Sequence, residues 1–151
     1  MTIQEALDIV DEMKPNMMSR KLKVKYLQEI EQLIWDEIVV NHYQKHDPPA
    51  PPEEPPWWPK PFDVWPGHPV PPETQEKPAY SEETDPGTEM IAQDPYSMVY
   101  VYWLMSKIDI QNQEDERYNI DRMRFENAYD TFSDWYTRTH MPRQRTREFR
   151  L

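Results

Sequence analysis

A chain of 151 residues has room for one domain, or for a small domain carrying an arm. Its net charge of −11 argues against broad binding to nucleic acid or anionic membranes, and the absence of cysteine excludes disulfides, thiolate metal sites and cysteine nucleophiles. Only 37% of the residues are apolar while 13% are aromatic, a balance that leaves a lone chain short of core and predicts that neighbouring protein surfaces complete it. The opening residues Met1 to Glu5 lack the basic and apolar regions of a signal peptide, and no apolar run approaches the roughly 20 residues that span a bilayer, so a soluble chain is expected.

The first helix is predicted from the second residue onward. Thr2 and Glu5 have capping-box spacing, Ile3, Ala6, Leu7 and Val10 share one face, and Pro15-Asn16 stops the element. A second helix is predicted to start near Ser19 and to end near Tyr43. Leu22, Tyr26, Leu27, Ile30, Leu33, Ile34 and Ile38 recur there at three and four, with Lys, Glu, Gln and Asp on the other face.

Residues 47–78 are of a different kind. They hold thirteen of the seventeen prolines, three tryptophans and a single glycine. Proline lacks an amide donor and forces its predecessor into extended backbone, so polyproline II and turns are the conformations left. A plain linker has no need of large rings, so Trp57, Trp58, Phe62 and Trp65 are read as anchors by which this arm grips a neighbouring subunit. Residues 79–94 are acidic and rich in turns, with Glu89 to Ala92 as a candidate short strand; from 47 to 94 there are eleven acids and two lysines.

A third helix is expected with Asp94 as its cap and Pro95 at its first position. Met98, Val101, Tyr102, Met105 and Ile108 form one stripe, and Val99, Tyr100, Trp103 and Leu104 make the helix apolar nearly all round. That pattern predicts contact beyond the chain's own fold, with Tyr96, Tyr100 and Trp103 in subunit packing. After a break near Asn112, a last helix is predicted from Glu114 to Thr139, with Tyr118, Phe125, Tyr129, Phe132 and Tyr136 on one face. Pro142 follows, then a basic tail whose Arg143, Arg145, Arg147 and Arg150 suit an acidic patch on a partner. The predicted organisation is a helical part over 1–46, an extended acidic arm over 47–94, a helical hairpin over 95–141 and a basic tail over 142–151. The fold class is all-α, about four helices in a small bundle with the Pro/Trp-rich insertion between the second and third.

Little in this pattern carries chemistry. His42 and His46 have the i, i+4 spacing that can share a metal, but prolines follow at once and no acid takes a general-base position, so solvated histidines at a helix end are the simpler reading. The acid pairs Glu53-Glu54 and Glu82-Glu83 sit in hydrophilic turns rather than in a cleft that would split their proton affinities. No Gly-x-Ser-x-Gly occurs, and two glycines in the whole chain cannot build a phosphate loop or a dinucleotide fingerprint. No catalytic, cofactor-binding or metal-binding residue is assigned, and a non-enzymatic protein is expected. Pro-x-x-Pro patterns such as Pro48 to Pro51 admit a different reading, a Pro-rich interaction or scaffolding module that engages aromatic grooves.

The second helical half contains Asp94-Pro95-Tyr96-Ser97-Met98-Val99-Tyr100-Val101-Tyr102-Trp103-Leu104, then Lys107-Ile108-Asp109 and Glu116-Arg117-Tyr118-Asn119. These are followed by Phe125-Glu126-Asn127-Ala128-Tyr129 and Phe132-Ser133-Asp134-Trp135-Tyr136. Together with the opening Met1 to Ala6 and Lys14-Pro15-Asn16, this resembles the head-to-tail adaptor (connector) proteins of the neck of tailed bacteriophages. The resemblance lies on both sides of the Pro-rich segment, which departs from the adaptor pattern. It implies a helical subunit that forms a ring of about a dozen copies beneath the portal. The implied partners are identical subunits, the portal, and tail or other neck proteins, with no membrane and with DNA only as passing cargo. The implied location is the virion neck, after assembly in the host cytoplasm. Another neck component, such as a tail-completion protein, fits the same residues.

Overall fold

The computed structural model describes residues 1–42, 77–81 and 83–140. Within them lie four α-helices: α1 (Ile3–Met13), α2 (Arg20–Glu37), α3 (Met98–Asn112) and α4 (Asp115–Thr139), with a 3-10 turn over Val39–Asn41 after α2. The all-α bundle expected from the sequence is the fold. Among the described residues there is no β-strand; Glu89 forms only an isolated antiparallel bridge with Thr2.

The helix ends follow local chemistry closely. At α1, the Thr2 hydroxyl accepts from the Glu5 amide while the Glu5 carboxylate accepts from the Thr2 amide at 2.8 Å. The next orphan amides find carbonyls from a distant loop: Ile3 N–H donates to Thr88 at 3.1 Å and Gln4 N–H to Pro86 at 3.0 Å. The end of a helix thus holds residues 86–90 in place, since amides of a first turn must find acceptors somewhere. Ser19 caps α2, which begins at Arg20, beside the predicted start. That helix closes at Glu37, earlier than Tyr43, because the chain tightens into the 3-10 turn.

At α3 the expected cap is corrected. The helix begins at Met98, three residues beyond Pro95, and Ser97 stands at its cap position without a side-chain bond to the helix. The Asp94 carboxylate accepts from the Ser97 hydroxyl instead of from backbone amides. The α3–α4 connection is two residues long. Gln113 takes left-handed backbone at φ 59°, and its amide returns to the carbonyls of Asp109 and Ile110. So short a turn makes α3 and α4 an antiparallel hairpin, as Trp103 against Phe125 and Tyr96 against Trp135 confirm.

α3 lies against all three other helices, so much of its apolar circumference is covered by its own chain, while Met98, Tyr102 and Trp103 keep part of their surface open. Val99, Tyr100, Val101 and Leu104 have no exposed surface. Contact within the chain therefore accounts for these four residues of the apolar pattern. Around α3 the core gathers Ile3, Leu7 and Val10 from α1, Leu27, Ile30 and Ile34 from α2, and Phe125 and Phe132 from α4. Each such side chain stabilises the fold by about 1.5–3 kcal/mol. Met90 and Ala92 are buried as well, so the last part of the segment assigned to an arm belongs to the bundle.

Candidate functional site

Two buried polar centres tie the helices together. In the first, the Glu31 carboxylate of α2 accepts from the Tyr100 hydroxyl at 2.6 Å, the Tyr80 hydroxyl at 2.8 Å and the Ile91 amide at 2.7 Å. The Tyr100 oxygen in turn accepts from the Ala92 amide at 2.8 Å. Burial pushes the Glu31 carboxyl above its ordinary value although all three donors favour its charge. Burial, together with the facing carboxylate, also pushes both tyrosine hydroxyls up. This hub fastens the 77–94 segment to α2 and α3.

The second centre joins α1, α3 and α4. The Lys14 ammonium, just past α1, meets Asp109 of α3 and Asp121 of α4, the latter at 2.8 Å, and Arg124 approaches Asp121 from outside at 3.2 Å. Burial and the neighbouring Asp121 raise the Asp109 carboxyl, against the pull of Lys14. One oxygen of Asp109 has no hydrogen-bond partner. Glu31 and Tyr80 of the first centre also line a groove on the surface of the bundle, and among the described residues no three His, Asp or Glu side chains converge to hold a metal.

The surface feature with most organisation is one pole of the bundle, made by the end of α2, the 3-10 turn and the end of α4. The His42 ring meets Tyr136 edge-on at 5.4 Å between centroids, and His140 stacks on Tyr136 at 3.8 Å. Trp135 stacks on Tyr96 at 4.9 Å. Lys77 pairs with Asp36 at 2.6 Å, bringing the chain back to the pole at which His42 left it. A groove of about 710 Å³ runs there, lined by Trp35, Val39, Pro78, Trp135, Tyr136 and His140 among others. His42 and Lys77, which stand on either side of the Pro-rich segment in the sequence, and His140, which precedes the Arg-rich tail, all lie at this pole.

The residues predicted for subunit packing divide. Tyr100 is wholly buried and serves the Glu31 hub, so no face of it is left for a second copy. Trp103 donates its indole N–H to the Tyr26 carbonyl at 2.9 Å and lies beneath Lys107, 4.2 Å from the ammonium to the ring centroid. Tyr96 packs on Trp135 but keeps part of its surface open. The arm anchors Trp57, Trp58, Phe62 and Trp65, the tail residues Arg143, Arg145, Arg147 and Arg150, and His46 lie outside the described residues. His42 is buried, its Nδ1 2.7 Å from the Ile38 carbonyl oxygen, rather than solvated as its place at a helix end predicted.

Sequence reasoning missed Lys14, Lys23, Glu31, Asp109 and Asp121 as buried charges. Their spacing carried a signal: Glu31 lies four after Leu27, Asp109 four after Met105 and Asp121 four before Phe125, each on the apolar stripe of its helix. Compared with protein-family models, with curated proteins and with solved structures, the chain has no match.

Proposed function

We propose that this chain is a non-enzymatic building block whose copies assemble through the extensions leaving one pole of a rigid helical bundle. The observation that carries this reading is that His42, Lys77 and His140, next in sequence to the Pro-rich segment and the Arg-rich tail, lie together at that pole around Trp135 and Tyr136. A subunit whose acidic Pro/Trp-rich segment and Arg-rich tail both adjoin, in sequence, residues at the same end is suited to grip neighbours on either side. The opposite charges of the two extensions give each a mate on an adjacent copy.

The resemblance of the helical blocks to phage head-to-tail adaptors gives this building block its place: a ring in the neck, bridging portal and tail. The buried acids of the bundle serve as ties between segments, which suits a mechanical role. Net charge of −11 suits a channel wall past which DNA slides without sticking. Electron microscopy of the purified full-length chain tests the reading. Closed rings with a central channel wide enough for duplex DNA are expected; a field of single small particles at every concentration overturns it.

A further inference from the structure

The two buried centres differ in how their charge is met. At the second, the Lys14 ammonium faces Asp109 and Asp121. At the first, the donors to Glu31 are the Tyr80 and Tyr100 hydroxyls and the Ile91 amide, all neutral, and among the described residues no cation pairs with this carboxylate. Neutral donors offset only part of the cost of taking a carboxylate out of water. Described cations beside the groove are engaged otherwise. Lys77 holds Asp36 at 2.6 Å, and the N-terminal ammonium donates to the Gln93 side-chain carbonyl at 3.1 Å.

Glu31 lines the groove of about 710 Å³ at the pole, and the exposed Glu89 lies along the same groove. Its described lining contains no lysine or arginine, so the groove carries negative charge. The half-buried Trp35 indole stands in its wall and makes no ring contact and no hydrogen bond among the described residues. Carboxylates beside an indole favour a guanidinium over an ammonium, because the planar, weakly hydrated group stacks on the ring while its N–H fork faces an acid. The chain supplies such a group close by. His140, in extended backbone at the close of α4, lines the groove, and Arg143 follows three residues later. Three extended residues span about 10 Å, which brings Arg143 within reach at a high local concentration.

We infer that this groove is a guanidinium-binding site whose occupant is Arg143 of the same chain, stacked on Trp35 and paired with Glu89, its charge facing Glu31. A docked Arg143 fixes the root of the basic tail at the pole and leaves Arg145, Arg147 and Arg150 for a neighbour. The inference therefore goes beyond the assembly reading without depending on it.

The test exploits the absence of cysteine from the chain. Full-length T88C/Q144C places one thiol on the groove wall and one beside Arg143, keeps Glu31, Glu89 and Arg143, and is treated with a short bismaleimide. Rapid linking of the two thiols within one chain is expected, read by denaturing gel and peptide mapping. Adding R143E or E89R to this chain should slow the linking several-fold, and adding both should restore it. R143K, which keeps the charge and loses the planar face, should fall between parent and R143E. Helix content by circular dichroism should stay the same throughout. A link that joins two chains means that a neighbour's tail fills the groove, and overturns the inference. So does the absence of any link, or a rate that R143E leaves unchanged. An R143K chain that links as fast as the parent overturns the choice of a guanidinium. In each of these cases the assembly reading stands, since native mass tests it separately.

Discussion

Glu31 is the residue on which most of the loop geometry depends, because its two oxygens collect donors from three separate places in the chain. Removing the Tyr100 hydroxyl leaves one Glu31 oxygen and the Ala92 amide without partners in a dry interior. Tyr100→Phe is expected to lower unfolding free energy by about 2 kcal/mol, read from chemical denaturation. The pH dependence has a definite sign. The Glu31 carboxyl lies above its ordinary value in the fold, so between the ordinary and the raised value the folded chain holds more protons than the unfolded one. The stability linked to Glu31 is greatest below its ordinary value and is lost as pH rises through the raised one. Asp11 has the reverse sign: burial alone would raise it, but the Lys23 ammonium and Asn16 amide hold it down, so its contribution disappears as pH falls. Glu31→Gln, which mimics the protonated acid, is expected to flatten the gain on acidification above the ordinary carboxylate range, as urea midpoints across a pH series would report; an unchanged slope would contradict the assignment. At the second centre, Lys14→Met leaves Asp109 and Asp121 buried with no central cation. A loss of about 3–5 kcal/mol is expected, and a variant within 1 kcal/mol of the parent in the same assay would mean that Arg124 and solvent already neutralise the site.

At the level of elements, both ends of α1, the start of α2 and the break after Asn112 were legible because a cap or a break is local: Thr2 with Glu5, or Pro15-Asn16 past the last turn, marks a helix end from a few residues alone, whereas the close of α2 at Glu37 fell earlier than predicted. The start of α3 was not, since Asp94 turned its carboxylate to the Ser97 hydroxyl, a choice between two local acceptor roles that spacing does not separate. The surroundings of α3 were only partly legible for a related reason. An apolar circumference says that a helix is surrounded, and only the tertiary arrangement says by what; here α1, α2 and α4 of the same chain do it. The loop over residues 86–90 was illegible because its partners are helix-end amides far away in sequence. One element-scale prediction follows from the left-handed residue that ends α3. Gln113 carries a Cβ where glycine would sit without strain, at φ 59°. Gln113→Gly is expected to raise stability by about 0.5–1 kcal/mol, net of the greater freedom glycine gives the unfolded chain. A thermal midpoint that falls instead would show that the Gln113 side chain contributes more than its backbone costs.

At the scale of the whole molecule, the aromatic rings of the described residues, part of the excess that first suggested missing partners, pack largely within the chain. Tyr100 and Phe132 are fully buried, and Trp103, Phe125, Tyr129 and Trp135 pack in internal pairs. The case for assembly therefore rests on geography: a well-packed bundle, with His42, Lys77 and His140, the neighbours in sequence of the Pro-rich segment and the Arg-rich tail, gathered at one pole. The native mass of the purified full-length protein, taken by mass spectrometry over a range of concentrations, tests that account most directly. It predicts a closed species of about a dozen chains of 18.4 kDa each. A single 18.4 kDa species, unchanged from the lowest concentration to the highest, would contradict it.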